Sequence, residues 1–224
     1  MSVGEDRPRP GGDGPEFLER LAHDLRGPLS PLQTAAYLLR RGDLESDRQR
    51  ELLEIIDRQT MRLSSMVQEV SDWMRARRSR LVAHREVQAV SLLLELGCAT
   101  RAGKVVLEVP PELDEAMLEA DTQRLVQMLE TLLQWTEARG SGGRAIVTAD
   151  VQGPEVRITL RAPSVEWTDA EPLFDAPQAV PFDEGLGMRL LIARAIAEAH
   201  GGSITALGAV GGGMLFEIRL PLRR

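Results

Sequence analysis

The chain has 224 residues, of which 43% are hydrophobic and 27% are charged, which is enough for one large domain or two small ones. Its formal net charge of −7 argues against nucleic acid or an anionic membrane surface as the main partner. A single cysteine, Cys98, excludes an internal disulfide, and no apolar run reaches the roughly 18–20 residues that span a bilayer, so we expect a cytoplasmic protein.

The first 15 residues are polar and rich in Gly and Pro, and we expect them to form a disordered leader. Apolar residues at spacings of three and four then predict a helix over about 16–41. They are Leu18, Leu21, Leu25, Leu29, Leu32, Ala36 and Leu39. Gly42 can end this helix in the left-handed conformation, and Ser46 or Asp47 can cap the next one.

The second helix carries a regular apolar seam that alternates spacings of four and three. Its members are Leu52, Ile56, Gln59, Leu63, Met66, Val70 and Trp73. Such a seam is typical of a coiled coil or a helical bundle. Because two antiparallel helices have too little interior to be stable alone, we expect the hairpin over 16–78 to pair with a second copy in a dimeric four-helix bundle. Packing against the rest of the same chain is the alternative.

A second domain is expected over 86–224, after a basic stretch, "RARRSR", that would suit a linker. Helices are predicted at "VSLLLELGCATRAG", "DTQRLVQMLETLLQWTEAR" and about 186–199, and strands at "KVVLEVP", "RAIVTADVQ", "EVRITLRA", "SITALGAV" and "GMLFEIRLPL". Gly153 and Pro154 join the second and third strands as a hairpin turn. Since strands and helices do not alternate strictly, the pattern predicts an α+β fold, in which helices cover one face of a mixed sheet.

His23 is the first candidate for chemistry. It lies two residues from both Leu21 and Leu25, so at about 100° per residue it points away from the apolar stripe. Asp24 can orient the imidazole or accept its proton, which leaves one ring nitrogen free as a nucleophile near neutral pH. Pro28 lacks the N–H that would bond the Asp24 carbonyl, so we expect the helix to bend there. An idle surface histidine is the alternative.

The run "HDLRGPL", from His23 to Leu29, resembles the phosphoacceptor box of two-component histidine kinases. The hairpin resembles that family's dimerisation and phosphotransfer domain, and residues 86–224 resemble its catalytic ATP-binding domain. The resemblance implies that His23 is the phosphorylated residue and Asp24 the acid that activates it, with Arg26 and Pro28 in the same box. Gly27 stands where kinases that are also phosphatases carry a polar residue. This argues against phosphatase activity, although simple tolerance of glycine beside a bend fits equally.

The resemblance also implies two side-chain contacts to Mg-ATP that this sequence lacks. Thr131 and Trp135 occupy the positions of two asparagines, and the indole, at the metal-binding position, cannot ligate Mg²⁺. The aspartate that would accept a hydrogen bond from adenine is missing from its region, which holds Arg161, Ala162 and Pro163. We therefore expect no metal site and no resident cofactor, in a degenerate form of the ATP-binding domain.

A third contact of that family, a Gly-x-Gly turn for phosphate, is present as Gly185-Leu186-Gly187. We interpret these two glycines as a vestigial cofactor-binding turn, and close packing of helix on sheet is the alternative. The segment "PLFDAP" (172–177) is weakly similar to the family's lid.

Together these features predict a histidine phosphotransferase in a two-component phosphorelay, closest in character to dimeric histidine phosphotransferases. His23 would accept phosphate from a receiver-domain aspartate of a response regulator and pass it to another, with little or no use of ATP. The predicted partners are receiver domains and a second copy of the chain, without nucleic acid or membrane. Two alternatives stay open. One is an active soluble histidine kinase whose ligands lie in the irregular segment, as Asp169, Asp175 or Asp183. The other is a non-catalytic pseudokinase that binds a response regulator or a kinase.

The other two histidines are weaker candidates. We expect His84 to lie in solvent, and His200 to end a helix, where a partly cationic ring is favourable.

Overall fold

The computed structural model describes residues 15–42, 44–163, 165, 173–209 and 212–223. The chain forms two compact units. The first runs to Glu69 and includes Glu184–Leu186, and the second comprises Val70–Asp183 and Gly187 onward. The predicted leader lies outside the described residues, apart from Pro15, where the first helix begins.

Two long helices form the hairpin of the first unit, as predicted: α1 (Pro15–Arg41) and α2 (Ser46–Arg77). Gly42 follows α1 with a φ of +74°, the left-handed conformation that costs glycine no Cβ clash, and this confirms the predicted helix end. α1 continues as one helix through Pro28 and Pro31, so neither proline ends it.

The apolar seam of α2 is confirmed, because all seven of its residues are buried or half-buried. Leu52 and Met66 are only 2% and 1% exposed. On α1 the buried stripe differs from the prediction: Leu29 is 39% exposed, whereas Ala35 is 1% exposed and Pro28 is buried. Pro28 and Ala35 are seven residues apart and so share one helix face, which lies next to the predicted stripe.

The second unit has the mixture of strands and helices that the sequence predicts. Its described elements, in chain order, are β1 (Glu86–Ala89), α3 (Val90–Ala99), β2 (Val105–Glu108), a 3₁₀ turn (Pro111–Asp114), β3 (Met117–Ala120), α4 (Thr122–Arg139), β4 (Ala145–Gln152), β5 (Glu155–Ala162), α5 (Arg189–Ala199), β6 (Ser203–Gly208) and β7 (Met214–Pro221). α5 begins three residues later than predicted, because Gly187, with a φ of +78°, is not helical.

Five strands form one mixed sheet in the order β2–β4–β5–β7–β6. β2 pairs with β4 in parallel, and the other neighbours are antiparallel. The turn between β4 and β5 contains Gly153 with a φ of +61°, as the predicted hairpin requires. β1 and β3 form a separate antiparallel ribbon that the sequence analysis did not predict. With four residues each, these strands are too short to show an alternating pattern.

The core of the second unit lies between the sheet and its helices. Along β5 and β7 every second residue is buried, so one face of the sheet is covered. α4 packs against both α3 and α5. This arrangement confirms the predicted α+β layering.

The last two turns of α2 belong to the second unit. There the carboxylate of Asp72, 1% exposed, accepts hydrogen bonds from Arg124 at 2.9 Å and from Gln127 at 3.0 Å. Both donors lie in the first turns of α4, whose N-cap is Asp121. A buried carboxylate is stable only with such compensation.

Candidate functional site

His23 lies on the solvent side of α1, and its side chain is 85% exposed. Its Nδ1 lies 3.2 Å from Oδ1 of Asp24. When Nδ1 carries the proton and donates a hydrogen bond to Asp24, the lone pair of Nε2 is available to an approaching group. The predicted exposure of His23 beside an acid is confirmed, and its phosphorylation stays a prediction.

The rest of the phosphoacceptor box differs in exposure. Arg26 and Gly27 are exposed, whereas Pro28 is buried. No described atom beyond its immediate surroundings in the helix lies within 4 Å of the point where a Cβ on Gly27 would stand. Packing therefore does not require glycine at position 27, and a larger side chain would fit there.

The two residues that the resemblance aligned with asparagines on α4 are both buried. Thr131 is 5% exposed, and its hydroxyl donates to the carbonyl of Gln127 at 2.8 Å, within the same helix. Trp135 is 1% exposed and packs edge-to-face on Phe216, with ring centroids 5.5 Å apart and planes at 76°. Neither side chain presents an oxygen to a metal ion.

Trp135, Phe174 and Phe216 form what we call the aromatic cluster. The centroid of Phe174 lies 5.9 Å from that of Phe216, so the segment that weakly resembles a lid contributes to the core. The buried Nε1 of Trp135 has no hydrogen-bond partner among the described residues. The Arg139 guanidinium lies 5.5 Å from the indole centroid, a cation–π contact.

The adenine-binding aspartate that the resemblance implies would lie at the end of β5, where this chain has Arg161, Ala162 and Pro163. Ala162 is 3% exposed and offers only a methyl group, and Pro163 follows it. Both line a cleft of about 310 Å³ together with Arg101, Lys104 and the glycines after α4. Thr131 and Trp135 are not among its lining residues.

The three charged side chains of this cleft are paired with one another. Glu137 accepts from Lys104 and, at 3.0 Å, from Arg101. The hydrogen bond from Lys104, with a smaller contribution from Arg101, lowers the pKa of Glu137. Both cations of the cleft therefore bind the same carboxylate.

The two glycines of the predicted phosphate turn have different surroundings. A Cβ on Gly187 would lie 2.5 Å from the carbonyl oxygen of Gln178, whose own N–H donates to the Gly187 carbonyl at 2.9 Å. Close packing against the backbone of Gln178 therefore requires Gly187, and this contact is with an irregular segment, not the helix-on-sheet packing of the alternative interpretation. Gly185 is buried, and the Leu186 N–H beside it donates to the carboxylate of Glu69 at 3.1 Å and 3.3 Å.

Glu69 is a residue that the sequence analysis missed. It is 4% exposed and lies on α2 between the seam residues Met66 and Val70. An acid adjoining an otherwise apolar seam was the available signal, since an ionised carboxylate enters a core only with partners.

The acids proposed as substitute metal ligands are in ion pairs. Asp175 lies 2.7 Å from Arg194, and Asp183 lies 2.6 Å from Arg189. Asp169 lies outside the described residues. Within the described part of the chain, no group of three metal-ligating side chains is present.

The surroundings of His200 do not favour the partly cationic ring that we expected. It ends α5 as predicted, but it is 5% exposed, its Nε2 accepts the Asp121 N–H at 3.0 Å, and its Nδ1 lies 2.8 Å from the Ile196 carbonyl oxygen. Burial lowers its pKa, which favours the neutral ring. His84 is exposed, as predicted.

Comparison with known proteins identifies related domains. Residues 16–78 match the model of the "His Kinase A (phospho-acceptor) domain". The chain is 28% identical to the adaptive-response sensory kinase SasA of Synechococcus sp. (strain JA-3-3Ab) over 92% of its own length and 59% of that protein's. It is 30% identical to the sensor histidine kinase ZraS of Klebsiella oxytoca, over 90% of its length and 45% of that protein's. The chain thus spans about half the length of these relatives.

Solved structures show the same fold. The histidine kinase AdeS of Acinetobacter baumannii superposes with a TM-score of 0.68 at 20% identity, covering 90% of this chain and 98% of that one. The histidine kinase ThkA, solved in complex with the response regulator protein TrrA, gives a TM-score of 0.71 at 21% identity, covering 93% and 62%. At these identities the likeness concerns the fold alone. In the described residues, no helix combines the length and apolar character needed to cross a bilayer.

Proposed function

We infer that this chain belongs to the two-component histidine kinase family, and from that premise we propose that it is a histidine phosphotransferase of a phosphorelay. In this proposal a receiver-domain aspartyl phosphate transfers its phosphoryl group to His23. The P–O bond to the aspartate breaks as a P–N bond to Nε2 forms. The reverse exchange delivers the group to a second receiver.

The exposed His23–Asp24 pair is the observation that carries the proposal. Transfer between proteins needs an imidazole that a docked partner can reach, and the His23 side chain is 85% exposed. Asp24, 3.2 Å from Nδ1, can hold the proton on that nitrogen and so direct the Nε2 lone pair outward. The receiver would bring its own aspartate and metal, so this chain needs neither.

The aromatic cluster supports the part of the proposal that concerns ATP. Trp135 offers carbon and an N–H where the family has a metal-binding amide, and Ala162 offers a methyl where it has a carboxylate. Losing a charge-assisted hydrogen bond of this kind weakens binding by roughly ten- to a hundredfold. Losing the metal also removes the charge neutralisation that phosphoryl transfer from ATP uses.

A homodimer and receiver partners complete the proposal, in a cytoplasmic setting. Four large apolar side chains of α2 are exposed and could be covered by a second copy: Leu53 (48%), Met61 (66%), Val67 (58%) and Met74 (49%). The relative ThkA is described in complex with a response regulator, and we propose the same class of partner here.

An active kinase is the second candidate, because the relatives are named as kinases. Phosphate transfer separates the two functions. The protein is incubated either with γ-labelled ATP and Mg²⁺ or with purified phosphorylated receiver domains, and label on His23 is followed by mass spectrometry. The relay predicts label only from a receiver, and the kinase predicts label from ATP.

His23→Gln is expected to abolish uptake while leaving the oligomeric state unchanged. His84→Gln, which changes another exposed histidine, is the matched control and should retain full uptake. Uptake that persists in His23→Gln would refute the assignment of the phosphoacceptor. Absence of label from both sources would favour a non-catalytic pseudokinase.

A further inference from the structure

The segment Glu184–Leu186, which we call the glycine turn, lies against α2 within the first unit. The N–H of Leu186 donates to both carboxylate oxygens of Glu69, at 3.1 Å and 3.3 Å. Beside this contact, Nε of Arg62 donates to the Glu184 carbonyl at 3.0 Å. Arg62 and Glu69, one heptad apart on α2, therefore both form hydrogen bonds with the backbone of the glycine turn.

The Glu69 contact is important because the carboxylate is buried. Glu69 is 4% exposed, so its carboxylate is almost completely withdrawn from water and depends on donors within the protein. A backbone N–H that donates to an ionised oxygen forms a stronger bond than one that donates to a neutral oxygen. The exposed neighbour Gln68 shows that the preceding α2 position is open to solvent.

The turn is also the segment that resembles the phosphate turn of histidine kinases. It precedes α5, which begins at Arg189, and backbone N–H groups just before a helix favour negative charge. A buried carboxylate already sits on one of these N–H groups. In the described structure, the protein itself supplies the anion.

We propose that Glu69 is an internal anion that occupies the glycine turn and closes it to phosphate groups. The turn then takes a phosphate-type anion only when the carboxylate is removed. This inference deepens the proposed function, because it gives a reason for weak nucleotide use that is independent of Trp135. The inference is tested without measuring phosphotransfer. Its failure would leave the proposed relay function untouched, and failure of the relay function would leave this inference untouched.

Amide hydrogen exchange on the full chain tests the contact. Wild type is compared with Glu69→Ala, with the near-isosteric Glu69→Gln, and with Gln68→Ala as the matched control. We expect the Leu186 amide to exchange about tenfold faster or more in Glu69→Ala, with a smaller increase in Glu69→Gln. Gln68→Ala should match wild type. Unchanged exchange at Leu186 in both Glu69 variants overturns the proposal.

Titration calorimetry with tripolyphosphate, without metal, tests the preference of the turn. We expect Glu69→Ala to bind this anion at least about tenfold more tightly than wild type and Gln68→Ala. Faster Leu186 exchange without any gain in tripolyphosphate affinity overturns the anion site and leaves Glu69 with a packing role only. If Glu69→Ala does not fold, Glu69→Gln provides both measurements, since it keeps the side-chain size and removes the charge.

Discussion

Replacing Trp135 by alanine tests how strongly the second unit depends on the residue that stands at the metal-binding position. The indole is 1% exposed and packs against Phe216 at a centroid distance of 5.5 Å. Alanine removes the whole ring from this contact and leaves a cavity. A polar ligand position would tolerate such a change, whereas a core position would not.

The magnitude follows from the burial and the ring contact. Truncation of a fully buried Trp costs about 3–5 kcal/mol, and an edge-to-face pair accounts for about 0.5–1.5 kcal/mol of stabilisation beyond area burial. Trp135→Phe keeps a ring in place and removes an Nε1–H that has no partner among the described residues. Removing such a donor recovers about 1–3 kcal/mol, so we expect Trp135→Phe to cost less than about 2 kcal/mol.

Guanidinium unfolding followed by far-UV circular dichroism measures these free energies without relying on the fluorescence of the deleted indole. Leu96→Ala is the control, because Leu96 on α3 is 44% exposed and should cost less than about 1 kcal/mol. A loss below about 1 kcal/mol for Trp135→Ala would show that the aromatic cluster is not part of the core. Equal losses for Trp135→Ala and Trp135→Phe would contradict the argument about the unpartnered donor.

Three further predictions concern stability. Burial lowers the folded pKa of His200, so the stability that the neutral ring contributes is complete above the ordinary pKa of about 6.5 and is lost as the pH falls through the folded pKa. We therefore expect the melting temperature of His200→Gln to change less between about pH 7.5 and pH 5 than that of wild type. Parallel pH profiles for the two proteins would contradict this. Asp72→Ala leaves Arg124, which is 15% exposed, with the neutral Gln127 as a hydrogen-bond acceptor but without its carboxylate partner. We expect a cost of about 3–5 kcal/mol in urea unfolding, and a loss under about 1 kcal/mol would count against the ion pair. Gly187→Ala should lower the melting temperature more than Gly153→Ala. Both glycines have a positive φ, but only at position 187 would the new Cβ also lie 2.5 Å from a carbonyl oxygen. Equal decreases in melting temperature would argue against this close approach.

Elements with long periodic patterns could be predicted from the sequence. The seam of α2 repeats over three heptads, and β4 and β5 each have eight residues around a glycine turn, so local information defines them. The position of His23 followed from the same reasoning, because two apolar neighbours fix the angle of a residue on a helix. Its exposure is therefore a consequence of periodicity alone.

Features that depend on contacts distant in sequence could not be predicted. The buried position of His200 includes a hydrogen bond from the Asp121 N–H, which lies 79 residues earlier. The role of Glu69 depends on the Leu186 N–H, 117 residues later. Leu29 is exposed although its hydrophobicity predicts burial, because Pro28 and Ala35 face the interior instead. For His200 and Glu69 the partner is distant in the chain, and neither composition nor spacing identifies it.

The end of α2 has a practical consequence for anyone who divides this protein into pieces. A fragment that starts at residue 86 would lack Asp72, the carboxylate that Arg124 and Gln127 bind. It would expose a guanidinium that is 15% accessible in the intact chain. An excised sheet fragment should therefore begin no later than Val70, although the sequence changes character only after the helix has ended.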